Sequence, residues 1–381
     1  MKPLVRQVQP SVTMDLDQQA RALAAAGKDI INLTAGQVDL PMHEAGKEAV
    51  IKTLAKDMTG YVPATGSPDV KAAVRTRMGW REGEVLISAG AKPLLNAAMA
   101  CVIGAGDEVI LPVPCYTSYP EMVRLAGGTP VVVLGDPDHD FIVSGDAIER
   151  RITERTKAVL LNNPVNPTGA VYDREALVQI VDVCEAHDLY LIADEVYSSF
   201  VYDQEFVSLY SFSSVRDRLI LVNSASKTYA MAGLRLGYAV ASAPLAKAMG
   251  ACLSHALGCP CSLSERAALA VLNADVNYLD VFRDRRDRLC DTLSQIDGVT
   301  VKKNAGAFYL WLDVSRWEDD VSFCQKLLDR EGVALTPGSA FCCPAYVRLA
   351  YTKDASILLN AADRIRRFIG ENYSSSSGVN R

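Results

Sequence analysis

Lys227 closes the tetrapeptide Ser224-Ala225-Ser226-Lys227, directly after an apolar, β-branched run from Leu219 to Val222. Arg235 follows eight residues later, inside Gly233-Leu234-Arg235-Leu236-Gly237. Asp194 precedes Lys227 by about thirty residues, in Ala193-Asp194-Glu195-Val196-Tyr197, and Asn163-Pro164-Val165-Asn166-Pro167-Thr168-Gly169 lies further upstream. A strand-end amine with a carboxylate and a guanidinium near it meets the chemical needs of pyridoxal phosphate. The lysine forms a Schiff base, the carboxylate holds the proton of the pyridinium nitrogen, and the arginine meets the phosphate.

Each surrounding motif has two readings. Ser88-Ala89-Gly90-Ala91-Lys92 follows a strand and opens a helix, so its backbone N–H groups suit an anion; such turns are also common without a ligand. Asn166-Pro167-Thr168-Gly169 reads as a turn. It also sits past an apolar strand, where open parallel sheets bind ligands, and an amide there reaches a phenolic oxygen. Asp194 suits a helix cap or a partner of a ring nitrogen. Tyr197 can donate on the same face. Tyr116, held between prolines, packs in a core or stacks on a ring. Arg348 stands alone in the apolar Val347-Arg348-Leu349-Ala350-Tyr351. It lies on a polar strand face or points inward, where it needs a carboxylate or phosphate partner.

Alternating strands and helices must position these groups. The pattern predicts strands at 30–33, 85–88, 109–111, 130–134, 158–162, 190–193, 219–222 and 237–241. Helices fall at 13–27, 44–57, 68–77, 91–103, 117–126 and 173–187. That alternation implies an α/β fold with a mainly parallel sheet covered on both faces. After Pro260 the texture changes. A charged helix at 276–297 reads as a solvated connector, followed by strands at 299–302, 307–313, 333–336 and 346–350 and helices at 319–331 and 354–370. The expected division is an N-terminal segment 1–42 belonging to a small α+β domain, a large domain 43–275, the rest of the small domain at 276–372, and a disordered tail 373–381.

Composition narrows the function. With 381 residues, 49% hydrophobic and 22% charged, the chain is long enough for two globular domains. A net charge of −6 argues against a nucleic-acid or membrane partner, and no apolar run reaches the roughly 18 residues of a membrane span. Ten scattered cysteines fit reduced thiols and a cytoplasmic location. The four dispersed histidines give no metal site.

Together these motifs resemble the class I/II aminotransferases of the fold-type-I pyridoxal-phosphate superfamily, with the nearest likeness to the bacterial aspartate aminotransferase subgroup. Pro120-Glu121-Met122-Val123-Arg124 and Gly306-Ala307-Phe308-Tyr309 extend the likeness, which runs from Ser11 to about Ile369. The resemblance implies a seven-stranded sheet and a small domain made from both chain ends. It implies that Lys227 carries the cofactor and moves the proton, Asp194 binds the ring nitrogen, Asn166 and Tyr197 bind the phenolic oxygen, and Tyr116 stacks. Gly90, Ala91, Ser224, Ser226 and Arg235 hold the phosphate, joined by Tyr61 of a neighbouring subunit in a homodimer. Arg348 takes the substrate α-carboxylate, Gly36 closes over it, and Lys92 occupies the position that helps bind a side-chain carboxylate. The implied reaction is ping-pong transfer of an amino group from an aspartate- or glutamate-type amino acid to a 2-oxo acid. A lyase or cyclase of the same fold shares the cofactor residues. A regulator would need a helix-turn-helix ahead of residue 30. Departures from the family pattern fall on the substrate side: Gly36-Gln37-Val38-Asp39-Leu40, the less polar His255–Cys261 segment, the short loop 341–345, and Gln9 in place of a lysine.

Overall fold

The computed structural model describes residues 12–373. Gln9 and the expected disordered tail from residue 374 lie outside the described residues. Along the chain the strands are β1 (Ile31–Asn32), β2 (Glu84–Ser88), β3 (Glu108–Val113), β4 (Thr129–Leu134), β5 (Thr156–Asn162) and β6 (Tyr190–Asp194). They continue with β7 (Leu219–Ser224), β8 (Gly237–Ala241), β9 (Tyr309–Asp313), β10 (Val333–Ala334), β11 (Thr336–Pro337) and β12 (Tyr346–Ala350).

Among the described residues, β2 to β8 form one seven-stranded sheet in the order β2-β8-β7-β6-β5-β3-β4. Only β8 runs against its neighbours. The strands are apolar on both sides because both faces are covered. Ile87, Ile110, Leu161, Leu191 and Leu221 enter one core. Leu86, Leu111, Leu160, Ile192 and Val222, offset by one residue, enter the other. Continuous Val/Ile/Leu runs are the mark of such doubly covered parallel sheets. The crossover helix Arg174–Ala186 starts where Asp173 accepts the Ala176 N–H, a cap written in the sequence.

A second core gathers both ends of the described chain. β1 pairs with β10, and β11-β12-β9 form a three-stranded antiparallel sheet. Ile31 and Leu33 pack there with Phe282, Phe308, Leu327, Val347 and Phe368. Tyr197 and Phe200, from beyond β6, belong to the same cluster and tie it to the large sheet.

Several expectations are corrected. The segment 299–302 is not a strand: among the described residues it has no pairing partner. The predicted strand at 333–336 divides into β10 and β11, which join different sheets. The stretch 242–275, where the pattern assigns no element, contains two helices, Ala243–Ala256 and Ser262–Leu272. The long charged helix is shorter, Leu279–Leu293, and is not simply a solvated face. Arg286 is 2% exposed and donates to Asp203 (2.6 Å) and to the Asn304 carbonyl (2.9 Å). Arg285 is buried and grips Asp39 with both nitrogens, at 2.7 and 3.0 Å. Charge alone does not distinguish an arginine that finds a partner across the core from one that faces water.

This difference is measurable. Arg286→Ala removes a buried cation and its packing on Tyr202, and unfolding in urea should show a loss of about 2–4 kcal/mol. Arg288→Ala, whose side chain is 60% exposed and paired with Asp284 one turn away, should lie within about 0.5 kcal/mol of wild type. Equal effects would return the helix to the solvated-face description.

Candidate active site

Register in the large sheet assembles the site. Asn162 lies beside Asp194, and Asp194 beside Val222. Ser224 lies beside Gly237, which in turn faces Ser88. The carboxyl ends of β2, β5, β6 and β7 and the start of β8 therefore meet on one edge of the sheet. This is where ligands bind in open α/β folds. A cavity of about 310 Å³ opens there. It is lined by Lys227, Asp194, Tyr197, Asn166, Tyr116, Ser224, Ser226, Arg235, Ala91, Lys92, Gly36 and Arg348, all of them predicted from sequence.

Lys227 sits in a single helical turn, Ala225–Thr228, that continues from β7. Ser224 Oγ starts the turn by accepting the Ser226 N–H at 3.0 Å. The Lys227 ammonium donates to the Gly36 carbonyl. Burial pushes its pKa down to about 8, helped by Arg348 and Arg235 and opposed by Asp194. The free-amine form that a nucleophile or base requires is then far more accessible near neutral pH than for an ordinary lysine. Asp194 ends β6 fully within the protein. Burial pushes its carboxyl up to about 6, against the Tyr119 hydroxyl at 2.7 Å, the Val196 N–H at 3.2 Å and the attraction of Lys227.

Two anion-binding ends frame these groups. At one, Gly90 caps the helix Ala91–Val102 with φ +99°, and a Cβ there would strike the Arg235 guanidinium. Ala91 of the first turn, Ser224, Ser226 and Arg235 all line the cavity. Arg235 has no carboxylate partner among the described residues. A phosphate fits this donor set. At the other end Arg348 is 3% exposed. It donates to Asn166 Oδ1 at 2.8 Å and to the Thr34 carbonyl, and its Nε is buried with no partner. Tyr309 and Phe341 sandwich it at 4.5 and 4.7 Å. No carboxylate neutralises it among the described residues, so the inward alternative holds and an anion completes it. The residues present thus fit a cofactor with a phosphate, a basic ring nitrogen and a lysine-linked carbonyl.

Sequence reading missed several lining groups. Tyr119 opens the helix Tyr119–Leu125 three residues after Tyr116 and braces Asp194. Asn162 donates to the Asp194 carbonyl at 2.8 Å and accepts the Asn166 N–H at 2.8 Å, which fixes the 163–169 turn. Asp17 reaches the cavity from the N-terminal helix, tied to Asn32 and Arg21. Tyr309, at the start of β9, was visible only as part of a motif. Gly90 borders the cavity as the helix cap. Tyr61 is outside it in this chain and wholly exposed, as are large parts of Ile51, Leu54 and Met58.

The buried carboxylate has a cost with a definite pH signature. The folded-state pKa of Asp194 is raised from 3.8 to about 6, so the ionised form burdens the ligand-free fold above that window. The burden is relieved as pH falls through 6 toward 4. Lys227 runs the other way: lowered from 10.5 to about 8, it burdens the fold at low pH and releases it as pH rises from 8 toward 10.5. Asp194→Asn should therefore stabilise the ligand-free protein by about 1–3 kcal/mol at pH 8, a gain that fades toward pH 4.5. Urea unfolding at both pH values checks it, and a difference independent of pH would contradict the assignment.

Comparison with known proteins agrees with this geometry. The family model for aminotransferase class I and II matches residues 28–365. The aspartate aminotransferase of Thermotoga maritima is 37% identical over 372 residues, covering 96% of this chain and 98% of that protein. A probable aspartate/prephenate aminotransferase of Aquifex aeolicus is 35% identical, with the same coverage of 96% and 98%. The crystal structure of the Thermotoga enzyme superposes with a TM-score of 0.93 over 97% of this chain and 100% of that one. The Thermus thermophilus aspartate aminotransferase with maleate gives 0.91 at 34% identity, over 96% and 99%. A fold, a lysine-centred cavity and a full-length likeness coincide, and the chain belongs to the class I and II aminotransferases, enzymes that work with pyridoxal phosphate.

Proposed function

We propose that this aminotransferase takes the amino group from an aspartate- or glutamate-type L-amino acid and gives it to a 2-oxo acid in a ping-pong cycle. The observation that carries the reading is the buried, uncompensated Arg348 in the same cavity as Lys227. An α-carboxylate gripped there sets its α-carbon within the reach of the lysine side of the cavity. Lys92 supports an acidic side chain: it lines the cavity, lies 5.2 Å from the Tyr116 ring centre and has no carboxylate partner among the described residues. The relatives named aspartate aminotransferases point the same way.

Bound pyridoxal phosphate supplies a carbonyl that condenses with amines and a protonated ring that accepts the electron pair left at the substrate α-carbon. The chain's own groups do the rest. Lys227 Nζ removes the α-proton and later returns it. Asp194, braced by Tyr119, keeps a negative charge at the ring nitrogen. Tyr197 and Asn166 donate to the phenolic oxygen; Asn166 Oδ1 is engaged by Arg348, which leaves its amide N–H groups for that task. Tyr116 stacks on the ring. Gly90, Ala91, Ser224, Ser226 and Arg235 hold the phosphate, and Gly36 lies over the substrate.

Residues 1–42 and 276–372 form the small domain in this reading, with 43–275 as the cofactor-binding domain; the pairing of β1 with β10 supports it. The working unit is a homodimer in which Tyr61 reaches the partner's phosphate. Its full exposure beside exposed Met58, Leu54 and Ile51 supports a covered face. Ten free cysteines support a reducing, cytoplasmic setting.

A donor panel tests the substrate. Arg348→Ala should depress kcat/KM for every donor. Lys92→Ala should lower acidic donors by about 10- to 150-fold and spare neutral ones; a uniform loss would mean that Lys92 serves only its helix or the phosphate. Assembly is tested by mixing two inactive chains, Lys227→Ala and Tyr61→Ala. Random pairing should restore about a quarter of wild-type activity, because each mixed dimer has one intact site. An active monomer in sedimentation at assay concentration would rule the dimer out.

A further inference from the structure

Tyr309 takes no part in the proposed mechanism, yet it touches three groups that do: Tyr197, Arg348 and Gly36. It is 2% exposed and starts β9. Its hydroxyl lies 2.7 Å from the Tyr197 hydroxyl, and the two rings meet edge to face at 5.7 Å. Its ring face covers the Arg348 guanidinium at 4.5 Å. A Cβ on Gly36 would collide with its hydroxyl, so the strap over the cavity is a glycine because Tyr309 is there. One side chain therefore touches the carboxylate-binding arginine, the strap and the phenol assigned to the cofactor.

The geometry points to Tyr309 as a positioning residue that donates its proton to Tyr197, aims the Tyr197 proton at the cofactor's phenolic oxygen, and so joins that oxygen to the substrate-carboxylate site. Two phenols sharing one hydrogen bond have two orientations, and the more acidic one donates. Burial raises both phenols above the usual tyrosine range, Tyr197 the further; the Arg348 guanidinium opposes the shift at both and lies directly on the Tyr309 ring, which leaves Tyr309 the more acidic of the two. Tyr309 is then the donor. Tyr197, its oxygen already accepting, keeps its own O–H for the cavity and becomes a stronger donor through the chain of bonds. The same Tyr309 ring flanks Arg348 opposite Phe341 and holds the guanidinium plane in place without a charge of its own. The proposal rests on the reading that Tyr197 serves the phenolic oxygen.

The test uses the holoenzyme and two readouts. The first is the pH midpoint at which the visible absorbance of bound pyridoxal phosphate changes, and the second is steady-state kinetics. A donor to the phenolic oxygen favours its deprotonated form and lowers that midpoint. Tyr309→Phe keeps the ring and loses the hydroxyl, so the midpoint should rise by about half to one pH unit while KM stays near wild type. Tyr197→Phe should raise it further. The double variant should match Tyr197→Phe alone, because the Tyr309 hydroxyl acts only through Tyr197. Tyr309→Leu, which also removes the ring from Arg348, should raise KM several-fold for all substrates. Additive shifts in the double variant would overturn the coupling and leave the Tyr197 reading standing. No shift in Tyr309→Phe with a clear shift in Tyr197→Phe would do the same. No shift in Tyr197→Phe would remove the underlying reading, and the coupling with it.

Discussion

A guanidinium taken out of water needs its hydrogen bonds and its charge answered, and at Arg348 the fold answers only the first. Asn166 and the Thr34 carbonyl accept from it, and two aromatic faces enclose it, yet no carboxylate stands against it among the described residues. Much of the architecture serves to keep that arrangement in place. β12 presents the arginine, the 163–169 turn supplies Asn166, the strand-to-strap segment after β1 supplies Thr34, and β9 supplies Tyr309. Four parts of the chain meet at a cation that lacks a counter-charge among the described residues. On the proposed function the missing charge is the substrate's, and its binding would remove the imbalance.

The opposite imbalance sits in the same cavity. Asp194 is a carboxylate in a place where burial favours its protonated form, and Lys227 is an amine in a place where burial favours its neutral form. Neither group is placed for stability. A hydrophobic isostere at either position would make the ligand-free fold easier to assemble. A bound phosphorylated pyridinium would offset both strains, and such perturbed groups gather at sites of chemistry.

The large sheet and the lysine cup were legible because their signals are local. Runs such as Ala158 to Asn162 and Leu219 to Val222 are long enough to name a buried strand, and the groups that follow such strands fall on one edge by topology alone. The groups that escaped are those whose role is set by a distant partner. Tyr119 is one more aromatic in a helix until β6 brings Asp194 to it. Tyr309 is one more strand tyrosine until Tyr197 and Arg348 meet it. Arg285 and Arg286 read as solvated because their partners Asp39 and Asp203 lie far away in sequence. The unassigned helices Ala243–Ala256 and Ser262–Leu272 are mostly small or apolar residues, with Gly250 and Pro260 in or between them. Tertiary packing, not a clear polar face, makes them helical. Segment 299–302 shows the converse: β-branched residues without a neighbouring strand stay unpaired.

The Asp39–Arg285 clasp sets how the site can admit its substrate. The strap carrying Thr34, Ala35 and Gly36 is fastened behind by the β1–β10 ladder and ahead by Asp39, whose carboxylate is locked to the helix Leu279–Leu293. Thr352 adds a third rivet through the Ala35 carbonyl. A strap fixed at both ends and in the middle cannot peel away as a free loop. Lifting Gly36 from Lys227 as a loop would break these contacts together, whereas moving it as one piece with the C-terminal sheet and that helix would keep them and carry Arg348 along. The strap over Lys227 and the arginine proposed to grip the substrate are thereby parts of one fastened unit, and a change that loosens the Asp39–Arg285 clasp would reach both.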